Sequence, residues 1–262
     1  MNLVVMTLII MAIAVSMSMV GKGGGNFYVL AMVLAGVSMH EAATTSQLIM
    51  MATSLAAMLV FNKHKKVDWK LAVIIELPTA AMAFVGGYLA GNIEASTLKL
   101  AFSVLLALIS LFMLLPVKDK PIEKKKAFGY LNRSYGGKEY TVNLFMTLPM
   151  TAIVGLFAGA LGISGGAFKI PIMVLLCGVP MEIAVGTSSA MVAVTAMMGF
   201  AGHMVNGSFN PGFAFPLVIA AVLGGIIGGK CAVKSKPRKL KKIFALTNLA
   251  AAAVMAANIV GQ

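Results

Sequence analysis

Two stretches decide how this chain of 262 residues is read: GKGGGNFYVLAMVLAGVSMHEAATTSQ at residues 21–47 and GISGGAFKIPIMVLLCGVPMEIAVGTSS at residues 162–189. They are copies of one pattern. Gly24-Gly25 matches Gly165-Gly166, and Phe27 matches Phe168. After one inserted residue, Gly36-Val37 matches Gly178-Val179, Met39 matches Met181, and Thr45-Ser46 matches Thr187-Ser188. Upstream, Ala14, Ser18 and Gly21 fall on Gly155, Gly159 and Gly162.

Outward from these stretches the chain is overwhelmingly apolar. It is 60% hydrophobic and 11% charged, with a mean hydropathy of +0.94. Those values exclude an ordinary soluble domain. Ten apolar segments are predicted, at 3–20, 25–39, 43–61, 70–90, 97–116, 141–161, 166–180, 184–205, 211–233 and 242–260. Most approach the ~20 residues that a helix needs to cross hydrocarbon; the second and seventh are short. Residues 3–20 are read as a retained span, since no basic n-region precedes them. The fold class expected is an all-α transmembrane bundle in two halves, 1–116 and 141–262, joined by a basic cytoplasmic linker at 117–140. Each half holds an odd number of segments, so the second copy is expected to be inverted across the membrane.

The net charge of +13 belongs to the connectors, where lipid and topology account for it without nucleic acid. Basic residues cluster at Lys63–Lys70, Lys118–Lys138 and Lys230–Lys242. With ten crossings all three clusters fall on one face, which predicts an inner-membrane protein with both termini outside. Cys177 and Cys231 lack metal spacing, and the 21 methionines are scattered through the spans, so no metal or cofactor is expected.

The glycine clusters are the candidate site. Glycine releases a helix, and the freed backbone is tolerated within a membrane only where protein or a watery cavity satisfies it. A helix restarting after the break presents the positive end of its dipole, which suits an anion. The substrate-binding candidates are therefore Lys22, Gly23, Gly24, Gly25, Thr45 and Ser46 from the first half. From the second they are Gly165, Gly166, Lys169, Thr187, Ser188 and Ser189. Thr44–Gln47 and Thr187–Ser189 are expected to open the third helix of each half, as caps or as donors to ligand oxygens. Lys22 and Lys169 are cations that attract an anion or snorkel. Glu41 and Glu182 suit helix N-termini. Glu76, inside the fourth segment, and His203, late in the eighth, are proton-coupling candidates. Asp68 and Trp69 are placed at the interface.

GISGGAFKIPIM, GTSSAMVAVTAMMGFAGH, GKGGG, ATTSQ and the VDWK before the fourth segment together resemble the TauE/SafE family of sulfite and organosulfonate exporters, over essentially the whole chain. The resemblance implies a secondary transporter of small sulfur-containing anions with inverted halves and a central path. Its motif falls on Gly23, Gly24, Gly25, Thr45, Ser46, Gly165, Gly166, Pro171, Thr187 and Ser188. The chain departs from the family pattern where Leu30 stands opposite Pro171, and where Lys22 and Lys169 are charged. The partners expected are a small anion and membrane lipid, for a monomer or homodimer. The alternatives are an anion channel, or a permease for another small anion or a metal ion. No His-Glu pair with zinc spacing, Cys-x-x-Cys or Ser-His-Asp set suggests an enzyme.

Overall fold

The computed structural model describes residues 3–94, 97, 100, 101, 104, 128–205, 209–236, 239, 243 and 246. The expected segments 97–116 and 242–260 and the linker's first part, 117–127, lie outside the described residues apart from those single positions. The chain is mostly helical. Its helices are α1 (Leu3–Met19), α2 (Gly25–Leu34), α3 (Met39–Lys63), α4 (Trp69–Ala90), α5 (Leu144–Leu161), α6 (Gly166–Pro171), α7 (Met181–Met204) and α8 (Pro211–Val233). A π-helical turn at Ile172–Leu176 continues α6. Five of these helices, α3, α4, α5, α7 and α8, are long and apolar enough to cross a membrane.

Helix α2 has 10 residues, about 15 Å at the α-helical rise, half the hydrocarbon thickness. Helices α1 and α5 end alike. Gly21 (φ 69°) and Gly162 (φ 66°) adopt the left-handed conformation. One residue on, Lys22 N–H donates to Met17 O at 3.1 Å and Ile163 N–H to Ala158 O at 3.1 Å. This is the Schellman stop, which only a residue without a Cβ adopts cheaply. Beyond the breaks the copies diverge. Leu30 lets α2 continue as regular α-helix, whereas Pro171 removes a backbone donor and the chain widens into the π-turn.

Antiparallel α3 and α7 form the centre. Gln47, early in α3, lies against Gly199, late in α7. At the opposite end, Lys66 pairs with Glu182 in the first turn of α7. Helix α4 packs on α5 and α7, and α8 packs on α1 and α3. Glycine permits the closest approaches: Gly86 of α4 meets the backbone of Leu156, and Gly228 of α8 meets that of Val15. Val60 lies beside Gly229, so α3 and α8 run parallel, and Lys63, Lys230 and Lys234 share one end of the bundle with Arg133.

The all-α expectation needs one correction. The second part of the linker is an antiparallel β-hairpin, β1 (Tyr130–Tyr135) and β2 (Lys138–Asn143). Gly136 (φ 60°) and Gly137 (φ 72°) make its turn, the backbone that a two-residue hairpin loop requires. Tyr140 and Val142 alternate inward from β2 and are buried against α3, α4 and α7.

Candidate functional site

The two glycine breaks pack against each other in the middle of the bundle. A Cβ on Gly25 would lie 2.7 Å from Ser164 N and 2.9 Å from Gly162 O. A Cβ on Gly166 would lie 2.8 Å from Gly21 O and 3.0 Å from Lys22 Cα. Those separations leave no room for any side chain. Each central helix braces the break of the other half. The Ser46 hydroxyl of α3 is 2.9 Å from Gly162 O and 3.1 Å from Gly25 O, and the Ser188 hydroxyl of α7 donates to Gly21 O at 2.8 Å.

Thr45, Ser46, Thr187, Ser188 and Ser189 do not cap helices, contrary to the sequence expectation. Helix α3 begins at Met39, with Ser38 as its N-cap accepting from Glu41 N–H, and α7 begins at Met181 after Pro180. The Thr-Ser elements therefore sit about a turn further in, where the hydroxyls of Ser46, Thr187, Ser188 and Ser189 reach backbone and that of Thr45 does not. Glu41 and Glu182 lie in the first turns. Thr187 accepts from Asp68 N–H at 3.0 Å, and Ser189 donates within its own helix to Val185 O. Neither of these two hydroxyls is directed to the breaks.

Both lysines are buried, Lys22 at 1% and Lys169 at 0% exposure. Lys169 Nζ is 2.5 Å from Glu76 Oε2 and donates to Thr195 Oγ1 at 2.5 Å. Thr195 in turn donates to Glu76 Oε1. The ammonium also borders the second break: a Cβ on Gly165 would lie 3.3 Å from Lys169 Cε and 3.6 Å from Nζ. Glu76 faces outward as well, onto an apolar groove of about 390 Å³ between α4 and α7 that runs from Trp69 to Met198.

The matched place in the first half carries no ions. Tyr28, aligned with Lys169, bonds through its hydroxyl to Thr53 Oγ1 at 3.0 Å, and Thr53 is aligned with Thr195. Three buried side-chain oxygens of α3, Thr45 Oγ1, Gln47 Oε1 and Ser54 Oγ, have no hydrogen-bond partner among the described residues. Ser54 Oγ would be 2.7 Å from a Cβ on Gly23, which places it at the first break. Such groups are rare inside proteins, and a hydroxyl there is able to donate to a ligand oxygen. Sequence reading passed over Ser54, whose type is common in membrane helices.

His203 lies away from the breaks, near the end of α7, with Nε2 2.8 Å from Gly159 O. Asp68 is not simply an interfacial residue. It caps α4 through Leu71 N–H at 3.1 Å, accepts a two-pronged contact from Arg133 at 3.1 and 2.6 Å, and accepts from the Tyr140 hydroxyl. Burial pushes its carboxyl up, but the hydrogen bonds from Arg133, Tyr140 and Leu71 N–H outweigh that and hold it below the ordinary carboxylate value. Hydrogen bonding to Asp68 raises Arg133 in turn. Arg133 lies in the linker, and nothing in its local sequence marks Asp68 as its partner.

Comparison with known proteins agrees with this membrane architecture. The family model described as "Sulfite exporter TauE/SafE" matches residues 6–255. The chain is 28% identical over 238 residues to the "Probable membrane transporter protein YunE" of Bacillus subtilis, covering 87% of each chain. It is 26% identical over 228 residues to the "Probable membrane transporter protein YfcA" of Escherichia coli K12, covering 84% of this chain and 77% of that one. It is 23% identical over 254 residues to a "Probable membrane transporter protein" of Methanocaldococcus jannaschii, covering 88% of both. No solved structure matches.

Proposed function

We propose that this chain, which belongs to the TauE/SafE family of membrane transporters, is a secondary carrier of small sulfur-containing anions (sulfite, sulfoacetate or a related organosulfonate) that works as an exporter by alternating access. One observation carries the reading: two glycine breaks pressed together at the centre of an apolar bundle, with a buried lysine at each. Non-helical backbone at that depth belongs where it meets protein or a cavity, and the positive end of α2 opens there. In the state described the breaks are closed on each other, and the anion would enter between Gly23–Gly25 and Gly165-Gly166 as the halves rock apart. The hydroxyls of Thr45 and Ser54, which have no partner among the described residues, would donate to it, Ser46 and Ser188 would hold the break carbonyls around it, and Lys22 and Lys169 would supply charge. Thr187 and Ser189 would act one layer further out.

The inverted-repeat reading is supported by the packing. Helix α1 lies on α8 as α5 lies on α4, and α3 lies on α8 as α7 lies on α4. Such pairs are what a two-fold axis in the membrane plane generates. Halves 1–116 and 141–262 would then rock about the crossed breaks. The end that carries Lys63, Arg133 and Lys230 would be cytoplasmic, in an inner membrane, with both chain termini outside. An inside-negative potential would drive an anion that crosses alone outward by ~2.3 kcal/mol per charge per 100 mV, and a large internal anion pool favours the same direction.

Uptake of radiolabelled sulfite, sulfoacetate and taurine into proteoliposomes tests this. Thr45→Val, Ser54→Ala and Lys22→Met are expected to raise KM for the transported anion about tenfold or more, as loss of a hydrogen bond to a charged group implies. Saturable transport with KM unmoved by all three would remove the site from the breaks.

A further inference from the structure

We propose that Glu76 and Lys169 form a proton-operated switch which couples one proton to each anion, so that the carrier runs as a proton–anion symporter. This rests on the anion site proposed above and adds its coupling ion.

Four observations point to the pair. Lys169 has two roles open to it and a single ammonium. It borders Gly165 in the second break, yet its charge is held by Glu76 at 2.5 Å. While Glu76 is ionised, an anion at the break must compete with a carboxylate already in contact. Thr195 bridges the two by accepting from Lys169 and donating to Glu76, so the pair responds as a unit. Glu76 is also the one member of the pair that lines the groove between α4 and α7, which starts at the half-exposed Trp69 and is otherwise apolar. Finally, the matched position in the first half holds Tyr28 on Thr53. The residue of α8 that corresponds to Glu76, counted from the matched Gly86-Gly87 and Gly228-Gly229, is Val218. One half alone carries the switch, which sets one proton per cycle.

Among the described residues of α4–α7, no other titratable group lies beside the pair. Helix α5 has no titratable side chain. Helix α7 has only Glu182 and His203, at its two ends. Helix α6 has only Lys169, and α4 adds Lys70 and Tyr88 near its termini. Lys22, whose Cα lies beside Gly166, is the other basic residue at the breaks.

The step balances without a further reactant. A proton from water adds to a Glu76 carboxylate oxygen and leaves a neutral acid. Lys169 keeps its positive charge and pairs with the incoming monoanion. On the opposite face the anion leaves, Glu76 releases its proton to water, and the ion pair closes again. One proton and one monoanion move together, so this transport is electroneutral. Its direction is set by the sum of the two gradients: an acidic outside drives the anion in, and a large internal anion pool drives both out.

The test uses the full chain in proteoliposomes, with a radiolabelled alkanesulfonate as the probe, because it stays a monoanion at every pH used while sulfite itself takes up a proton near neutrality, and with pyranine inside to follow protons. In the unaltered protein, sulfonate uptake is expected to accelerate when the outside is made acidic, with proton entry in step. Glu76→Gln is expected to make sulfonate exchange independent of pH and to remove both gradient-driven accumulation and proton entry. Gradient-driven accumulation with proton entry in that variant would overturn the proposal. Thr195→Val, nearly isosteric, guards against misfolding of the first variant. Removing its donor to the carboxylate is expected to move the midpoint of the exchange–pH profile upward, and an unmoved midpoint would contradict the switch. Sulfonate exchange that is present but insensitive to pH in the unaltered protein would refute coupling and leave the anion site standing. No exchange of the alkanesulfonate, sulfite, sulfoacetate or taurine at any pH would count against the site itself.

Discussion

At matched places the two halves hold Tyr28 on Thr53 and Lys169 on Thr195. The surroundings are otherwise alike. Each threonine hydroxyl also lies near the carbonyl four residues back: Thr53 donates to Ile49 O at 2.9 Å, and Thr195 Oγ1, whose proton goes to Glu76, is 3.0 Å from Met191 O. The first half meets the position with a neutral phenol in an apolar cluster that includes Val218. The second meets it with an ammonium, and a carboxylate from α4 answers. The scaffold is thus shared, while the chemistry is confined to one side. A repeat fixes geometry twice, while the buried ion pair is formed at only one of the two matched places.

What is shared should break in the same way in both halves. Gly25→Val and Gly166→Val each push a side chain into backbone of the opposite break, which has no flexible group to move aside. Both are expected to lose well over the ~1–3 kcal/mol typical of overpacking and to give little monodisperse protein by size-exclusion chromatography. A normal elution profile for either would show that the breaks are not pressed together.

What differs should break unequally. Lys169→Met strands the buried Glu76 carboxylate, an effect of about 3–5 kcal/mol. Tyr28→Phe removes a neutral hydrogen bond and leaves Thr53 its carbonyl partner, an effect of about 1 kcal/mol. Thermal unfolding in detergent should therefore separate the two clearly. The double variant Glu76→Leu/Lys169→Met should recover most of the loss, because no charge is then left unpaired. Equal melting temperatures for the two single variants would erase the proposed asymmetry.

The ends of the matched helices offer a gentler contrast. Asp68, which caps α4, is clasped by Arg133 and Tyr140 of the hairpin; Asn210, which caps α8, holds only Phe213 N–H among the described residues. The Asp68 carboxyl is held below its ordinary value. Its stabilisation is therefore complete above the ordinary value of about 4 and is lost as pH falls through the lower folded value. Trp69 is the sole tryptophan and adjoins Asp68, so its fluorescence should report an acid transition that Asp68→Asn abolishes. Smallest of all, Lys66→Ala should change stability by about 1 kcal/mol or less, because both it and Glu182 are about a third exposed.

Much of this was legible in the sequence for a physical reason. Spans announce themselves through long apolar runs, and the glycine breaks through repetition at fixed spacing. The clustering of Lys63, Arg133 and Lys230 at one end follows from the same runs. The partner of Lys169 was not legible, because Glu76 is on another helix and only packing brings the two together. The same is true of Asp68 and Arg133. Ser46 and Ser188 were legible as a repeated pair but not as braces across the halves, since helices α3 and α7 begin earlier than their apolar runs. The hairpin could have been found: YLNRSY and KEYTVN flank Gly136-Gly137, a two-residue turn signal between alternating strands, but the basic residues around it read as a simple linker.

The central claim is that an anion is carried at the crossed breaks by a protein that alternates its access. Counterflow of radiolabelled sulfite tests it most directly. Proteoliposomes are loaded with unlabelled sulfite and diluted into trace label with no gradient of pH or potential. A carrier is predicted to accumulate label transiently above the external level, with saturation, and Thr45→Val or Lys22→Met should weaken that overshoot. Label that only equilibrates, with flux linear in sulfite and no stimulation from the opposite side, would contradict the account in favour of a channel.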